Sequence, residues 1–276
     1  MSGDFLGQMA KSSRARVEAA RRSCSLEEIR EKALASEAPL PLVASREGFD
    51  LIAEVKLRSP AVGALKSKSE DVDARVAGYA EAGAAAVSVL TEPDRFDGSL
   101  AHLETAARAL KPLRVPAMRK DFLVDPYQVC EARIAGAGGV LVILRMLPRK
   151  DLEALLAEAR DMRLFALLEA FDEADLQLAS ELVAEFGSSL PLLVGVNCRD
   201  LVTLQVVPGR LEQLAPLLPT GVARVAESGV GSAEDAARVS AAGYEFALVG
   251  SALMTAADPV ALVRDMLAAG RAARSR

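Results

Sequence analysis

The sequence predicts an α/β fold in which eight strand–helix units close into a barrel behind a helical extension. Three observations carry that expectation. From about residue 50 onward, short β-branched runs alternate with Ala- and Leu-rich stretches. Parallel strands need crossover connections, so such alternation means a parallel sheet. A helix end, a glycine and a strand also recur in one form, as AEAGAAAVSVL (80–90), RIAGAGGVLVIL (133–144) and SAAGYEFALVG (240–250). Finally, the 276 residues suit one (β/α)8 TIM barrel, which takes roughly 250 residues. The expected division is an N-terminal helical extension over 1–48, packed on a barrel over 49–276.

Taken in order, residues 4–22 and 26–36 read as two helices, followed by the proline-containing APLPLV (38–43). Two roles suit this extension equally on composition: padding the bottom or side of the barrel, or covering its active-site face. Predicted strands follow at 51–56, 85–90, 115–118, 139–144, 163–168, 192–196, 223–226 and 246–249. Asp125-Pro126 and Asp258-Pro259 each put an N-cap before a proline at the first helical position. Ser232, with Glu234 and Asp235 behind it, marks another helix start. Gly83, Gly136 and Gly243 stand where positive φ ends a helix. No linker-like stretch divides the region. Periodicity alone leaves an open doubly wound sheet as the alternative.

Bulk chemistry removes several function classes. Thirty-three Lys and Arg against 38 Asp and Glu give a net charge of −5. The basic residues are scattered, which is no nucleic-acid footprint. Cys24, Cys130 and Cys198 have no CxxC spacing, so neither a disulfide framework nor a structural zinc site is expected. The N-terminal stretch has no apolar core of a signal peptide, and no run approaches the ~20 apolar residues of a membrane helix. The cytoplasm is the expected compartment. His102 is the single histidine, so a multi-histidine metal site is excluded and acid–base work falls to Lys, Glu and Asp. His102 itself reads as an exposed helix residue, and Cys130 and Cys198 as ordinary buried small residues.

In this fold the reactive residues sit at the C-terminal strand ends. Glu54 and Lys56 lie two apart on strand 1 and so face one side. Arg119 and Lys120 are expected after strand 3, Glu169 after strand 5, Asn197 and Arg199 after strand 6, and Glu227 and Ser228 after strand 7. Any one of them could be a solvated rim charge; the whole set at one end of many strands is a site. ESGVGS (227–232) runs into a helix start, and LVGSAL (248–253) puts Gly250 and Ser251 just past strand 8. Loops after strands 7 and 8 are the common phosphate site of this fold, where backbone N–H groups meet the anion.

Six ordered segments then resemble indole-3-glycerol-phosphate synthases: LIAEVKLRSPAVG (51–63), VLTEPDRFDGSL (89–100), MRKDFLVDPYQVCEAR (118–133), LVGVNCRDL (193–201), VAESGV (225–230) and ALVGSALM (247–254). The third is the most specific, and the resemblance spans essentially the full chain. It implies a lyase of tryptophan biosynthesis that needs no metal or organic cofactor. The implied substrate is the sugar phosphate 1-(o-carboxyphenylamino)-1-deoxyribulose 5-phosphate. Its ring closes with loss of carbon dioxide, and water then leaves. No nucleic acid, membrane or obligate protein partner is implied.

Residue by residue, the resemblance makes Lys120 the general acid, with burial and cationic neighbours expected to lower its pKa toward the working range. Lys56 matches a second lysine that meets phosphate or the substrate carboxylate and shares the acid role; the sequence does not divide the steps between the two. Glu169 matches the base of dehydration. Glu54 orients the lysines and substrate hydroxyls, Asn197 holds Glu169 or a hydroxyl, and Glu227 and Ser228 line the floor. Phosphate is expected at Lys56, Ser59, Gly229, Gly250 and Ser251. Phe96, Phe122, Leu141 and Leu201 match the ring wall, although Leu141 also suits the barrel core, and Arg199 matches a further substrate contact. The sequence departs from the family pattern at Arg58, at Pro60-Ala61-Val62-Gly63, at Asp97-Gly98, at Ala170-Phe171 after Glu169, and at Cys198. None of these removes a residue assigned to catalysis. Two rival readings are another sugar-phosphate barrel, such as a phosphoribosylanthranilate isomerase, and a non-catalytic ligand-binding paralogue.

Overall fold

The computed structural model describes residues 5–59, 63–65, 71–200 and 203–274. Eight strands form the barrel: β1 (Asp50–Val55), β2 (Ala86–Leu90), β3 (Ala117–Lys120), β4 (Gly139–Ile143), β5 (Phe165–Ala170), β6 (Leu192–Asn197), β7 (Ala223–Glu227) and β8 (Phe246–Val249). Each pairs in parallel with its sequence neighbour. β1 also pairs with β8, from Asp50 opposite Phe246 to Ala53 opposite Val249. The sheet therefore closes, and the open doubly wound alternative falls.

Two predicted strands lie two residues too early. β3 begins at Ala117 and β5 at Phe165, because Arg114 and Arg163 adopt left-handed backbone, at φ +57° and +58°, before them. Their far ends run on correspondingly, so Arg119, Lys120 and Glu169 belong to the strands themselves. The helix–glycine–strand repeat is present as read: Gly83, Gly136 and Gly243 have φ of +106°, +82° and +103°. Asp125, Asp258 and Ser232 accept from backbone N–H groups at the starts of the helices Pro126–Ile134, Pro259–Arg274 and Ala233–Ala241. No helix of the described residues is long and apolar enough to cross a membrane.

Strand alternation sends Leu51, Ala53 and Val55 outward to the helices and Ile52 and Glu54 inward. The register stacks the inward residues in layers drawn from alternate strands, as barrels of this kind do. The odd strands supply Ile52, Met118, Leu167 and Val225 to a lower layer, and Glu54, Lys120, Glu169 and Glu227 to an upper one. Between them lies an even-strand layer. Ser88 pairs with Glu54 above and Met118 below, Gly195 with Glu169 and Val225, and Leu248 with Glu227 and Ile52. Leu141, opposite Leu167, completes this layer.

The two roles open to the extension turn out to be divided along it. α1 (Phe5–Arg21) lies across the mouth: Met9 packs with the barrel interior, the Ser13 hydroxyl donates to the Phe122 carbonyl at 2.5 Å, and Arg16 donates twice to Asp121, at 2.9 and 2.8 Å. α2 (Leu26–Ala35) pads the flank, where Arg30 pairs with the buried Glu158 of the helix Arg149–Asp161. The segment beyond it passes the start of β4, where a side chain at Gly138 would strike the Leu40 carbonyl at 2.3 Å.

Candidate active site

One cavity opens at the C-terminal ends of the strands. Lys56, Glu54, Lys120, Glu169, Asn197, Arg199, Glu227, Ser228, Gly229, Gly250 and Ser251 all line it, and so do Phe96, Phe122 and Leu141. Leu201 lies outside the described residues, as does the side chain of Ser59. Sequence reasoning missed Phe5 and Leu6 of α1, Leu90, Asp121, Ile143, Leu204, Val230, Leu248 and Ala252, which complete the lining. Apolar residues at the start of the first helix were the available signal for Phe5 and Leu6.

The polar centre is the upper odd-strand layer. Lys120 Nζ donates to Glu169 Oε2 at 3.1 Å and stands 4.0 Å from Glu227 Oε2. Asn197 Nδ2 donates to the other Glu169 oxygen at 3.0 Å, while its own oxygen accepts from the Arg199 N–H at 3.0 Å. Glu169 is thus held on both oxygens. Lys56 Nζ donates to Glu54 Oε1 at 2.6 Å. Two glycines make room for these acids. A Cβ on Gly195 would sit 2.1 Å from Glu227 Oε1, and one on Gly250 would sit 2.3 Å from Glu54 Oε1 and 2.8 Å from Lys56 Nζ.

Electrostatics corrects one expectation. Burial alone would lower the pKa of Lys120, but the carboxylates of Glu169, Glu227 and Glu54 outweigh it and raise the value. Its close neighbours are anionic, not cationic; the other lysine is taken up by Glu54. Lys120 therefore remains an ammonium across the neutral range, which is the form that donates. Burial and the adjacent Glu169 push the Glu227 carboxyl well above its usual range.

The two loops meet across one side of the cavity. Ser228 and Gly229 turn sharply after β7, with φ of +65° and +68°. For serine that conformation is uncommon, and it is of the kind found where a site demands it. The predicted helix start after this loop is already satisfied: Ser232 accepts from Asp235 N, and Asp235 accepts from Gly231 N. Gly250 by contrast precedes the short helix Ser251–Thr255 with no side-chain cap, and Lys56 Nζ lies against it.

On the opposite side, Phe122 meets Phe5 edge-on at 5.8 Å between ring centres and Phe96 at 6.2 Å. Beneath this wall Arg119, 1% exposed, points away from the cavity into a buried network. Its guanidinium donates to Thr91, the Gln128 carbonyl, Glu131 and Asp121. Burial opposes ionisation of Asp121, but Arg119, Arg16 and Thr91 overcome it and hold its carboxyl below the usual range. Cys130 and Cys198 are buried, and burial pushes the Cys130 thiol up to about 12. His102 lies off the cavity on the helix Leu100–Leu110, half-buried.

Fold and site define a class: a β/α barrel with lysines paired to carboxylates at the carboxyl ends of its strands. Similar folds include the thiamine phosphate pyrophosphorylase of Pyrococcus furiosus, with a TM-score of 0.60 at 16% identity over 83% of this chain and 98% of that one. The 3-hexulose-6-phosphate synthase of Salmonella typhimurium also scores 0.60, at 14% identity over 80% and 98%. At such identities the likeness is one of fold alone. Sequence similarity is more specific. The family model for indole-3-glycerol phosphate synthase matches residues 6–266. The indole-3-glycerol phosphate synthase of Mycolicibacterium smegmatis is 40% identical over 98% of this chain and 96% of its own. That of a Parafrankia species is 44% identical over 80% and 78%. The chain belongs to the indole-3-glycerol phosphate synthase family.

Proposed function

We propose that the protein converts 1-(o-carboxyphenylamino)-1-deoxyribulose 5-phosphate to indole-3-glycerol phosphate, carbon dioxide and water. The observation that carries this reading is the Lys120–Glu169 contact at 3.1 Å in the middle of the cavity, with Asn197 on the second carboxylate oxygen.

Ring closure joins the aromatic carbon that bears the carboxylate to the ribulose carbonyl carbon. The carbonyl oxygen gains negative charge as the bond forms, and a nearby ammonium supplies its proton. Loss of carbon dioxide returns an electron pair to the ring. The new hydroxyl then leaves as water, which requires one proton given to that oxygen and one taken from the substrate. Lys120 gives the first proton, and Lys56 shares the acid work. Glu169 takes the proton in dehydration. Support for these roles comes from the opposite ionisation the two partners need: an ammonium kept charged by three carboxylates, beside a carboxylate held by an amide and that ammonium. Glu54 orients Lys56. Glu227 and Ser228 form the floor, and Arg199 contacts the substrate at the rim.

The substrate's phosphate lies between the loops, on Gly229, Gly250, Ser251 and Lys56. Its aromatic ring lies against Phe96, Phe122 and Leu141, with Phe5 and Leu6 closing over it. The chain contains no tryptophan, so indole emission from product is read without background. Steady growth of that emission on adding the substrate to purified protein is the expected result. Binding of the substrate without emission would remove the activity and leave a ligand-binding barrel.

A further inference from the structure

The layer under the acid–base centre contains Ser88, Leu141, Gly195 and Leu248, and Ser88 is its only polar side chain. Its hydroxyl is fully enclosed, and no described group accepts from it or donates to it. A buried hydroxyl left so is costly, and alanine would fill much the same space without that cost. Ser88 is the ladder partner of Glu54 and, like Glu54, points into the barrel. Glu54 spends one oxygen on Lys56, while its other oxygen, Oε2, is buried and has no hydrogen-bond partner among the described residues. Carboxylate oxygens need donors, and Ser88 is the donor the adjacent layer provides.

We propose that Ser88 is a positioning residue for Glu54, its hydroxyl reaching Glu54 Oε2 through one enclosed water. Such a water makes two to four hydrogen bonds to otherwise unsatisfied buried groups. Held on one oxygen by Lys56 and on the other from below, the Glu54 carboxylate has a fixed plane, and Lys56 has a fixed direction. Gly250 limits the pair from the opposite side, where a Cβ would touch both groups. Ser88 does not touch substrate; it acts through Glu54.

This inference rests on the proposed synthase activity, and wild-type turnover in the indole assay is the control that tests that reading separately. In a wild type that turns over, Ser88→Ala should lower kcat about tenfold, the effect of losing one hydrogen bond to a charged group. Its affinity for indole-3-glycerol phosphate should stay within about twofold, since the phosphate loops and Lys56 charge are intact. Ser88→Thr, which keeps the hydroxyl, should recover most of the loss. A packing role would instead lower the melting temperature of the alanine variant and leave kcat alone. Wild-type kcat in folded Ser88→Ala, or an equal kcat loss in folded Ser88→Thr, would overturn the assignment.

Discussion

Two layers inside the barrel differ by a single step along the same four strands. Two residues toward the carboxyl end, Ile52 gives way to Glu54, Met118 to Lys120, Leu167 to Glu169 and Val225 to Glu227. Burial does not separate them: Leu167 is 0% exposed and Glu169 only 3%. What separates them is how each layer meets the loss of water. The lower layer gains from it at about 25 cal/mol per Å² of apolar surface. The upper layer loses hydration that ion pairs only partly replace, and burial beside Glu169 makes one of its carboxyls, Glu227, harder to ionise. The lower layer holds the barrel; the upper one is held by it. Glycine at 195 and 250 makes the charged layer sterically feasible.

The sharpest way to break this division is Lys120→Ala. Turnover should fall about 10³-fold, within the range general acid catalysis supplies, while product still binds. Near-normal turnover in the indole assay would remove Lys120 from the acid role. A smaller effect is expected at the lid. Arg16→Ala cuts the bidentate contact between α1 and Asp121, and should cost roughly 2 kcal/mol in a denaturant titration. It should raise KM more than it lowers kcat, because Phe5 and Leu6 leave the ring wall while the acid–base layer is untouched. Asp121 ionises below its usual range in the folded protein, so this stabilisation is present above the unfolded aspartate pKa of about 4 and is lost as pH falls below it. The gap between wild type and Arg16→Ala should close in acid.

The smallest effect should have the opposite sign. Glu227 binds its proton more tightly folded than unfolded. Its contribution favours folding below the unfolded glutamate pKa of about 4.3 and is lost as pH rises toward the folded value. Glu227→Gln removes that penalty, and should raise neutral-pH stability by about 1 kcal/mol and leave stability near pH 4 unchanged. A destabilised Glu227→Gln at pH 7 would mean that the carboxylate is paired and charged.

How much of this the sequence contained depends on distance along the chain. Strand periodicity, helix caps and the clustering of Glu54, Lys56, Lys120, Glu169 and Asn197 at strand ends are local signals, and they read correctly. The starts of β3 and β5 misled because arginines occupy left-handed positions that sequence signals mainly through glycine or asparagine. The place of α1 depends on Arg16 meeting a partner 105 residues away, which no local pattern announces. The direction of the Lys120 shift likewise depends on acids from three other strands. Nothing in the residues around Gly195 marks it out; only the Glu227 carboxyl filling its side-chain space gives it meaning.

One measurement tests the division between layers most directly: stability and turnover of Leu167→Ala and Glu169→Gln, side by side. Both positions are on β5, one inward step apart. Leu167→Ala should lose about 2–5 kcal/mol of stability and keep near-normal kcat in its folded fraction. Glu169→Gln should melt close to wild type and lose about 10²–10⁴-fold in kcat. If Glu169→Gln turns over normally, or if the two variants lose stability and activity alike, the separation of a stabilising layer from a reacting one is wrong.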